Sequence, residues 1–117
     1  MSSPARRALL ALPALALALV ALPRAAAQDA TSGKRVYDAN CTACHGASGD
    51  GNGPAAIALT PKPRSFRDAT WWDGKTEATV TASIKAGRPG TAMTPFALSD
   101  AELRDVYAYI KGFDPAP

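Results

Sequence analysis

The chain has 117 residues, enough for one domain of ordinary size, and a formal net charge of +3. All of that excess charge comes from three arginines within residues 1–27, because residues 28–117 contain ten basic and ten acidic side chains. A domain without net charge and without a basic stripe gives no indication of nucleic acid binding, so nucleic acid is excluded as a predicted partner.

Residues 1–27 have the three parts of a secretory signal peptide. Two arginines lie near the start, an apolar run of Ala, Leu and Val follows over residues 8–22, and small alanines at residues 25–27 form an A-x-A-like end. The apolar run is short for a membrane-spanning helix and contains a central proline. We therefore predict export and a mature domain of residues 28–117. A retained membrane anchor is the alternative.

The mature domain is predicted to begin with a helix over residues 33–44. Within it, Tyr37, Cys41 and Cys44 recur at the i, i+4, i+7 spacing of one helical face. Four glycines then make residues 46–54 an irregular turn.

The middle of the chain contains one short and one longer predicted helix. Residues 55–59 have room for one helical turn before two prolines stop it. Residues 76–86 are predicted as a helix with Val80 and Ile84 on one side and Gly87 as its C-terminal stop, although several threonines weaken the helix propensity. A loop containing glycine and prolines follows.

The last predicted helix has the clearest signals in the sequence. Ser99 and Glu102 have the spacing of a capping box, and Leu98 can pack on Leu103 across the first turn. Apolar residues continue at helical spacing as far as Ile110, and a glycine then ends the helix.

No alternating strand pattern is visible, so we predict an all-α fold of three to five helices with long loops. Residues 28–117 contain only three each of Leu, Ile, Val and Phe, which is below the level that usually supports a packed core. Small domains of this kind usually depend on a disulfide, a metal or a cofactor.

Cys41-Thr42-Ala43-Cys44-His45 is a C-x-x-C-H motif, the covalent attachment site of c-type haem. On a helical turn both thiols project to one side, where each can form a thioether with a vinyl group, and the imidazole of His45 can bind the iron. We therefore predict one covalently bound haem c, which also supplies the missing core.

Three other interpretations of the two cysteines are weaker. A thioredoxin-type site requires a βαβ context, which the sequence does not show. A zinc site requires a second pair of ligands, and His45 is the only histidine. A structural disulfide across two intervening residues would close too small a loop to stabilise the domain.

Met93 is the candidate for the sixth iron ligand. It is the only methionine within residues 28–117, and it lies in a loop rich in glycine and proline. A lone methionine is more often core filler. With haem present and no competing strong ligand, we predict axial ligation by His45 and Met93, and no metal other than the haem iron.

These features resemble the class I (mono-haem) cytochromes c over nearly all of residues 33–113. The haem-binding box of that family is matched by residues 41–45, and its distal loop, which carries the ligand methionine, is similar to residues 90–95. The resemblance implies the small cytochrome c fold wrapped around one haem.

The resemblance extends to segments outside the two ligand motifs. Gly33 and Tyr37 are similar to the glycine and aromatic residue of the family's N-terminal helix, and Tyr109 to the aromatic residue that crosses near that glycine. Gly53-Pro54 looks like the family's Gly-Pro segment, so the resemblance implies that the carbonyl of Pro54 accepts a hydrogen bond from His45. A proline that serves only the turn is the alternative.

Further side chains are expected around the haem. Trp71 and Trp72 are predicted to pack on the haem edge, where one indole N–H could reach a propionate; a core aromatic pair is the alternative. The expected walls are Ile57, Leu59, Phe66, Val80, Ile84 and Phe96. The expected rim bases are Lys62, Arg64, Arg67, Lys85 and Arg88. These bases either compensate the propionates, steer an acidic redox partner or are simply solvated.

The sequence therefore predicts a secreted or periplasmic one-electron carrier, not an enzyme, that cycles between Fe(III) and Fe(II). Its expected partners are redox proteins such as a membrane-bound oxidase, reductase or dehydrogenase. A haem-based ligand sensor or a peroxidase-like protein, with a displaceable Met93, is one alternative. An electron-transfer subunit of a larger oxidoreductase complex is another.

Overall fold

The computed structural model describes residues 27–116, together with residues 1, 2, 18, 20 and 21. The predicted signal peptide therefore lies almost entirely outside the described residues, and its cleavage stays a prediction. Within the part that is described, no helix is both long enough and apolar enough to cross a membrane.

The described chain is built from helices joined by loops, and no strand occurs between residues 27 and 116. The α-helices are α1 (Ala30–Asn40), α2 (Thr42–His45), α3 (Glu77–Ala86) and α4 (Asp100–Lys111), with 3-10 turns at Ala56–Ala58 and Ala69–Trp72. The predicted all-α fold is confirmed.

The predicted first helix is divided into α1 and α2. The side chain of Asp29 caps α1 by accepting hydrogen bonds from the N–H groups of Thr31 and Ser32, so the helix begins before residue 33. The backbone then leaves the helical conformation at Cys41, with φ −120° and ψ −32°. The prediction of one continuous helix to Cys44 is therefore wrong, and the cysteine motif lies on a separate short turn.

Helices α1 and α4 cross in close contact at Gly33. A Cβ atom on Gly33 would lie 1.9 Å from the carbonyl oxygen of Asp105, so only glycine allows this approach. Tyr109 was expected to lie near Gly33. Its ring packs instead against Tyr37, one helical turn after Gly33, with ring centroids 5.2 Å apart. Tyr37 itself is completely buried.

Both long C-terminal helices begin with a capping box. Ser99 and Glu102 form the predicted one on α4. Thr76 and Thr79 form a second on α3, which the sequence analysis missed because threonine was considered only as a weak helix former. Helix α3 packs on α4. The buried core cluster consists of Tyr37, Phe66, Trp72, Val80, Ile84, Leu103, Val106 and Ile110.

Candidate functional site

Most of the predicted site residues line a single cavity of about 400 Å³. Cys41, Cys44 and His45 line it, and so does Met93 from the loop before α4. The other apolar and aromatic lining residues are Leu59, Pro61, Pro63, Phe66, Trp71, Val80, Ile84, Ala92, Phe96 and Ile110. A largely apolar cavity of this size with a few polar or metal-binding groups is typical of a cofactor site.

The glycine-rich loop after His45 folds back on α2 and holds the end of the cysteine motif. The last carbonyl groups of α2 accept backbone hydrogen bonds from this loop: Ala55 to Ala43 (2.9 Å), Gly53 to Cys44 (3.0 Å) and Gly51 to His45 (2.8 Å). A Cβ atom on Gly53 would lie 2.3 Å from the carbonyl oxygen of Ala43, so this approach also requires glycine. The carbonyl groups that a helix leaves unpaired at its end are thereby satisfied.

The imidazole of His45 is held by two contacts. Its Nδ1 atom lies 3.0 Å from the carbonyl oxygen of Arg64, and its ring stacks on Phe66 with centroids 4.5 Å apart and an interplanar angle of 19°. Since a carbonyl only accepts, Nδ1 carries the proton and Nε2 keeps its lone pair. Burial lowers the pKa of His45, while the hydrogen bond to Arg64 opposes this shift. The arrangement favours a neutral imidazole with Nε2 available to a metal.

The expected role of Pro54 is wrong, because Arg64 provides the carbonyl that contacts His45. Pro54 is exposed, and the N–H group of the following residue, Ala55, is bonded to Ala43. The chain therefore folds back on α2 at Pro54 and Ala55. The carbonyl that reaches the imidazole comes ten residues later, from Arg64.

The two cysteines are partly buried and are not joined by a disulfide. Burial, assisted by the neighbouring Cys44, raises the pKa of Cys41 to about 11. This is the opposite of the lowered pKa that activates thioredoxin-type cysteines. Among the described residues, no group of three or more His, Cys, Asp or Glu side chains is placed to hold a metal ion.

The two tryptophans have different positions. Trp71 lines the cavity, and the Nζ atom of Lys75 lies 5.4 Å from its ring centroid. Its contact with a haem edge stays a prediction. Trp72 is only 8% exposed and belongs to the core, where its indole N–H donates to the carbonyl of Phe66 at 2.8 Å. Trp72 does not line the cavity and its side-chain donor is already used, so its position agrees with the alternative of a core aromatic residue and leaves no N–H for a propionate.

Ile57 does not belong to the cavity wall, contrary to the expectation. The 3-10 turn buries Ala56, which is 3% exposed, and directs Ile57 outward, where it is 90% exposed. The other predicted wall residues, among them Leu59 and Phe96, do line the cavity.

The charged side chains that line the cavity are all basic. They are Lys62, Arg64, Lys75 and Arg88, and no Asp or Glu occurs among the described lining residues. Arg67 and Lys85 were expected at this rim but are absent from the lining, and Arg67 instead donates to the carbonyl of Ser48 at 2.7 Å. Lys75 was not among the expected rim bases. Its position four residues after Trp71 is the feature of the sequence that could have indicated it.

The sequence is similar to those of known cytochromes c. The family model described as cytochrome c matches residues 30–114. Cytochrome c-554(547) of Halothiobacillus neapolitanus is 34% identical over 88 residues, which cover 72% of this chain and 96% of the relative. Cytochrome c6 of Thermosynechococcus vestitus is 30% identical over 99 residues, which cover 83% of this chain and 81% of the relative.

The similarity extends to larger proteins and to solved structures. The cbb3-type oxidase subunit CcoP of Azospirillum sp. (strain B510) is 34% identical over 80 residues, covering 67% of this chain but only 26% of that subunit, so the match spans about a quarter of it. The solved KustC0563 c-type cytochrome matches with a TM-score of 0.58 and 27% identity, covering 69% of this chain and 95% of that structure. The chain therefore belongs to the cytochrome c family, whose members carry covalently bound haem and transfer electrons.

Proposed function

We propose that the protein is an exported electron carrier with one haem, held by thioethers to Cys41 and Cys44 and ligated by His45 and Met93. The observation that supports this most directly is the one cavity that all four side chains line. The residues present fit the cofactor, since two thiols, an imidazole and a thioether face a largely apolar space.

The protein's own groups explain how such a site would operate. Haem c supplies a one-electron couple when bound. The carbonyl of Arg64 keeps the proton of His45 on Nδ1 and so increases the basicity of Nε2. The neutral thioether of Met93 and the apolar walls both favour the reduced state, because they do not stabilise additional positive charge. If His45 and Met93 both held the iron, no position would remain open for a substrate, which would favour electron transfer over catalysis.

The four basic residues that line the cavity form a basic rim, and we infer that the redox partner docks there through an acidic surface. They are Lys62, Arg64, Lys75 and Arg88. Among the described residues, the ion pairs are Lys34–Asp38 and Lys111–Asp114, so none of the bases that line the cavity forms an ion pair with a carboxylate. Unpaired charge around the mouth of a site steers an oppositely charged partner and increases the association rate. We propose a membrane-bound oxidase, reductase or dehydrogenase as the partner class.

A second candidate is an electron-transfer subunit of a larger oxidoreductase. Two kinds of similar protein favour it. One is the CcoP subunit of cbb3-type oxidases, and the other is a solved Kuenenia stuttgartiensis reducing HAO-like protein complex, which matches with a TM-score of 0.62 and 28% identity over 70% of this chain and 41% of that one. The site chemistry would be the same. Copurification of the tagged protein from its own cells as a stoichiometric complex would distinguish this candidate from a free carrier.

The proposal is tested by expression of the full chain in a host that attaches haem c. We expect a red, exported protein with one haem per chain and a low-spin spectrum in both redox states, together with a thioether-to-iron charge-transfer band in the oxidised form. A folded but colourless product would contradict the proposal.

The ligand role of Met93 is tested by Met93→Ala. We expect the haem to remain attached, the charge-transfer band to disappear and the reduction potential to fall, because water replaces a ligand that favours Fe(II). Redox titration and absorption spectroscopy measure both effects. Thr94→Ala, at the exposed neighbouring position, is the control. Retention of the band and potential in Met93→Ala would refute the assignment.

A further inference from the structure

The orientation of the His45 ring requires contacts from outside the residue. The torsion that rotates an imidazole about its Cβ–Cγ bond has broad minima, so the side chain does not select one ring plane by itself. The hydrogen bond from Nδ1 to the carbonyl of Arg64, at 3.0 Å, restricts the ring, but hydrogen bonds accept a considerable range of angles. A second contact is needed to define the plane.

Phe66 supplies that contact. Its ring lies nearly parallel to the imidazole, at a centroid distance of 4.5 Å and an angle of 19°, and it is only 6% exposed. Rotation of His45 out of this plane would drive the edge of the imidazole into the face of Phe66. The carbonyl of Arg64 and the ring of Phe66 belong to one short segment, so the same stretch of chain acts on His45 in two different directions.

Phe66 is itself held from several sides. Its N–H donates to the carbonyl of Gly49 at 2.7 Å, and its carbonyl accepts the buried indole N–H of Trp72 at 2.8 Å. Its ring contacts Trp71 and Tyr37 edge-on, at centroid distances of 5.0 Å and 6.5 Å. Both polar groups of its backbone are thus paired, and its ring has little freedom to tilt.

We propose that Phe66 is a positioning residue that defines the plane of the His45 imidazole, and that Trp72 acts through the carbonyl of Phe66 to keep it in place. This inference rests on the proposed ligation of haem iron by His45. In an oxidised haem, the plane of a ligating imidazole would contribute, together with the orientation of the thioether ligand, to the distribution of unpaired electron density over the macrocycle. It can therefore be observed without any measurement of electron-transfer activity.

The test is Phe66→Leu in the haem-loaded full chain. We expect the haem-methyl proton resonances of the oxidised protein to change their order or spread and the EPR g values to shift, while the haem stays low-spin and covalently bound. Phe113→Leu is the matched control, because Phe113 packs on Tyr37 and Tyr109 and does not line the cavity. The control should leave both spectra unchanged even if it destabilises the fold.

Trp72→Phe provides a second variant in case Phe66→Leu does not mature. It keeps an aromatic ring and removes the N–H donor, and we expect a shift in the same direction but smaller. Unchanged spectra in Phe66→Leu, or in Trp72→Phe where the first variant cannot be obtained, would overturn the inference, and so would equal changes in Phe113→Leu. A wild-type protein without low-spin, histidine-ligated haem would instead refute the proposed function, so the two failures are distinguishable.

Discussion

The hydrogen bond between His45 and the carbonyl of Arg64 determines which nitrogen of the imidazole is free for a metal. This contact comes from the backbone, and no side chain of residue 64 takes part in it. The family resemblance implies a proline carbonyl in this role, and the structure places the chain around Pro54 elsewhere. The two assignments make different predictions for one substitution.

Pro54→Ala should leave the reduction potential and the absorption spectrum unchanged, because the acceptor for His45 is the carbonyl of Arg64. Its effect on the free energy of unfolding should be about 1 kcal/mol or less, through greater freedom of the unfolded chain. Redox titration and denaturant unfolding provide the measurements. Pro115→Ala, at an exposed position near the C-terminus, gives the baseline for such a change. A clear fall in potential would restore the role to Pro54.

At the scale of elements, the crossing of α1 and α4 brings the two ends of the described domain together. The crossing depends on Gly33, whose missing side chain allows the backbone of Asp105 to approach. Substitution of Gly33 by alanine would have two opposing effects on the stability of the protein. Alanine would favour helix α1 by about 1 kcal/mol, but it would also place a carbon atom against a backbone oxygen that cannot move without separating the helices.

Gly33→Ala should therefore destabilise the protein, by about 2 kcal/mol, which is typical of overpacking a tight contact. Denaturant or thermal unfolding of the haem-loaded protein measures the loss. Lys34→Ala on the exposed side of the same helix is the control, and the loss of its ion pair with Asp38 should cost less than about 1 kcal/mol. An increase in stability for Gly33→Ala would show that helix propensity dominates and that the crossing is looser than described.

At the scale of the whole molecule, the fold surrounds a cavity of about 400 Å³. If this volume were an empty, closed cavity it would cost at most about 10 kcal/mol, at roughly 24 cal/mol per Å³. The total stability of a small domain is only about 5–15 kcal/mol. Because the cavity is open to solvent, this figure is an upper bound. Without a bound group the largely apolar lining would contact water, so we expect a group that fills the cavity to add substantially to the stability of the domain.

Cys41→Ala combined with Cys44→Ala should yield a chain without covalent haem that lacks a cooperative unfolding transition. Circular dichroism and calorimetry test this expectation. Ala43→Ser, within the same motif but without loss of a thiol, is the control and should retain haem and cooperativity. A double variant that stays helical and unfolds cooperatively would contradict the idea that the cofactor completes the core.

The basic rim makes a prediction about the molecule's surface as a whole. Lys62→Glu with Lys75→Glu should slow electron transfer with an anionic reagent such as ferricyanide and weaken or reverse the dependence of the rate on ionic strength. Stopped-flow measurements over a range of salt concentrations follow both changes. Lys34→Glu with Arg35→Glu makes the same change in net charge on α1, outside the cavity lining, and should have a much smaller effect. Equal effects of the two pairs would show that net charge, and not the rim, controls the rate.

The sequence by itself determined the features that depend on residues close to one another along the chain. The helical class, the capping box of α4 and the C-x-x-C-H motif are all local patterns, and composition indicated a core that needed a cofactor. The family match and the fold confirm the cytochrome c prediction. Ligation by Met93, the single-haem count and export stay predictions.

Only the tertiary structure decided which distant groups meet. The carbonyl that contacts His45 is 19 residues away, and backbone carbonyls are indistinguishable in a sequence. The core position of Trp72, the outward position of Ile57 and the place of Lys75 at the rim likewise depend on how the loops turn. Local patterns reflect contacts within a few residues, whereas these positions result from the path of the chain around the cavity.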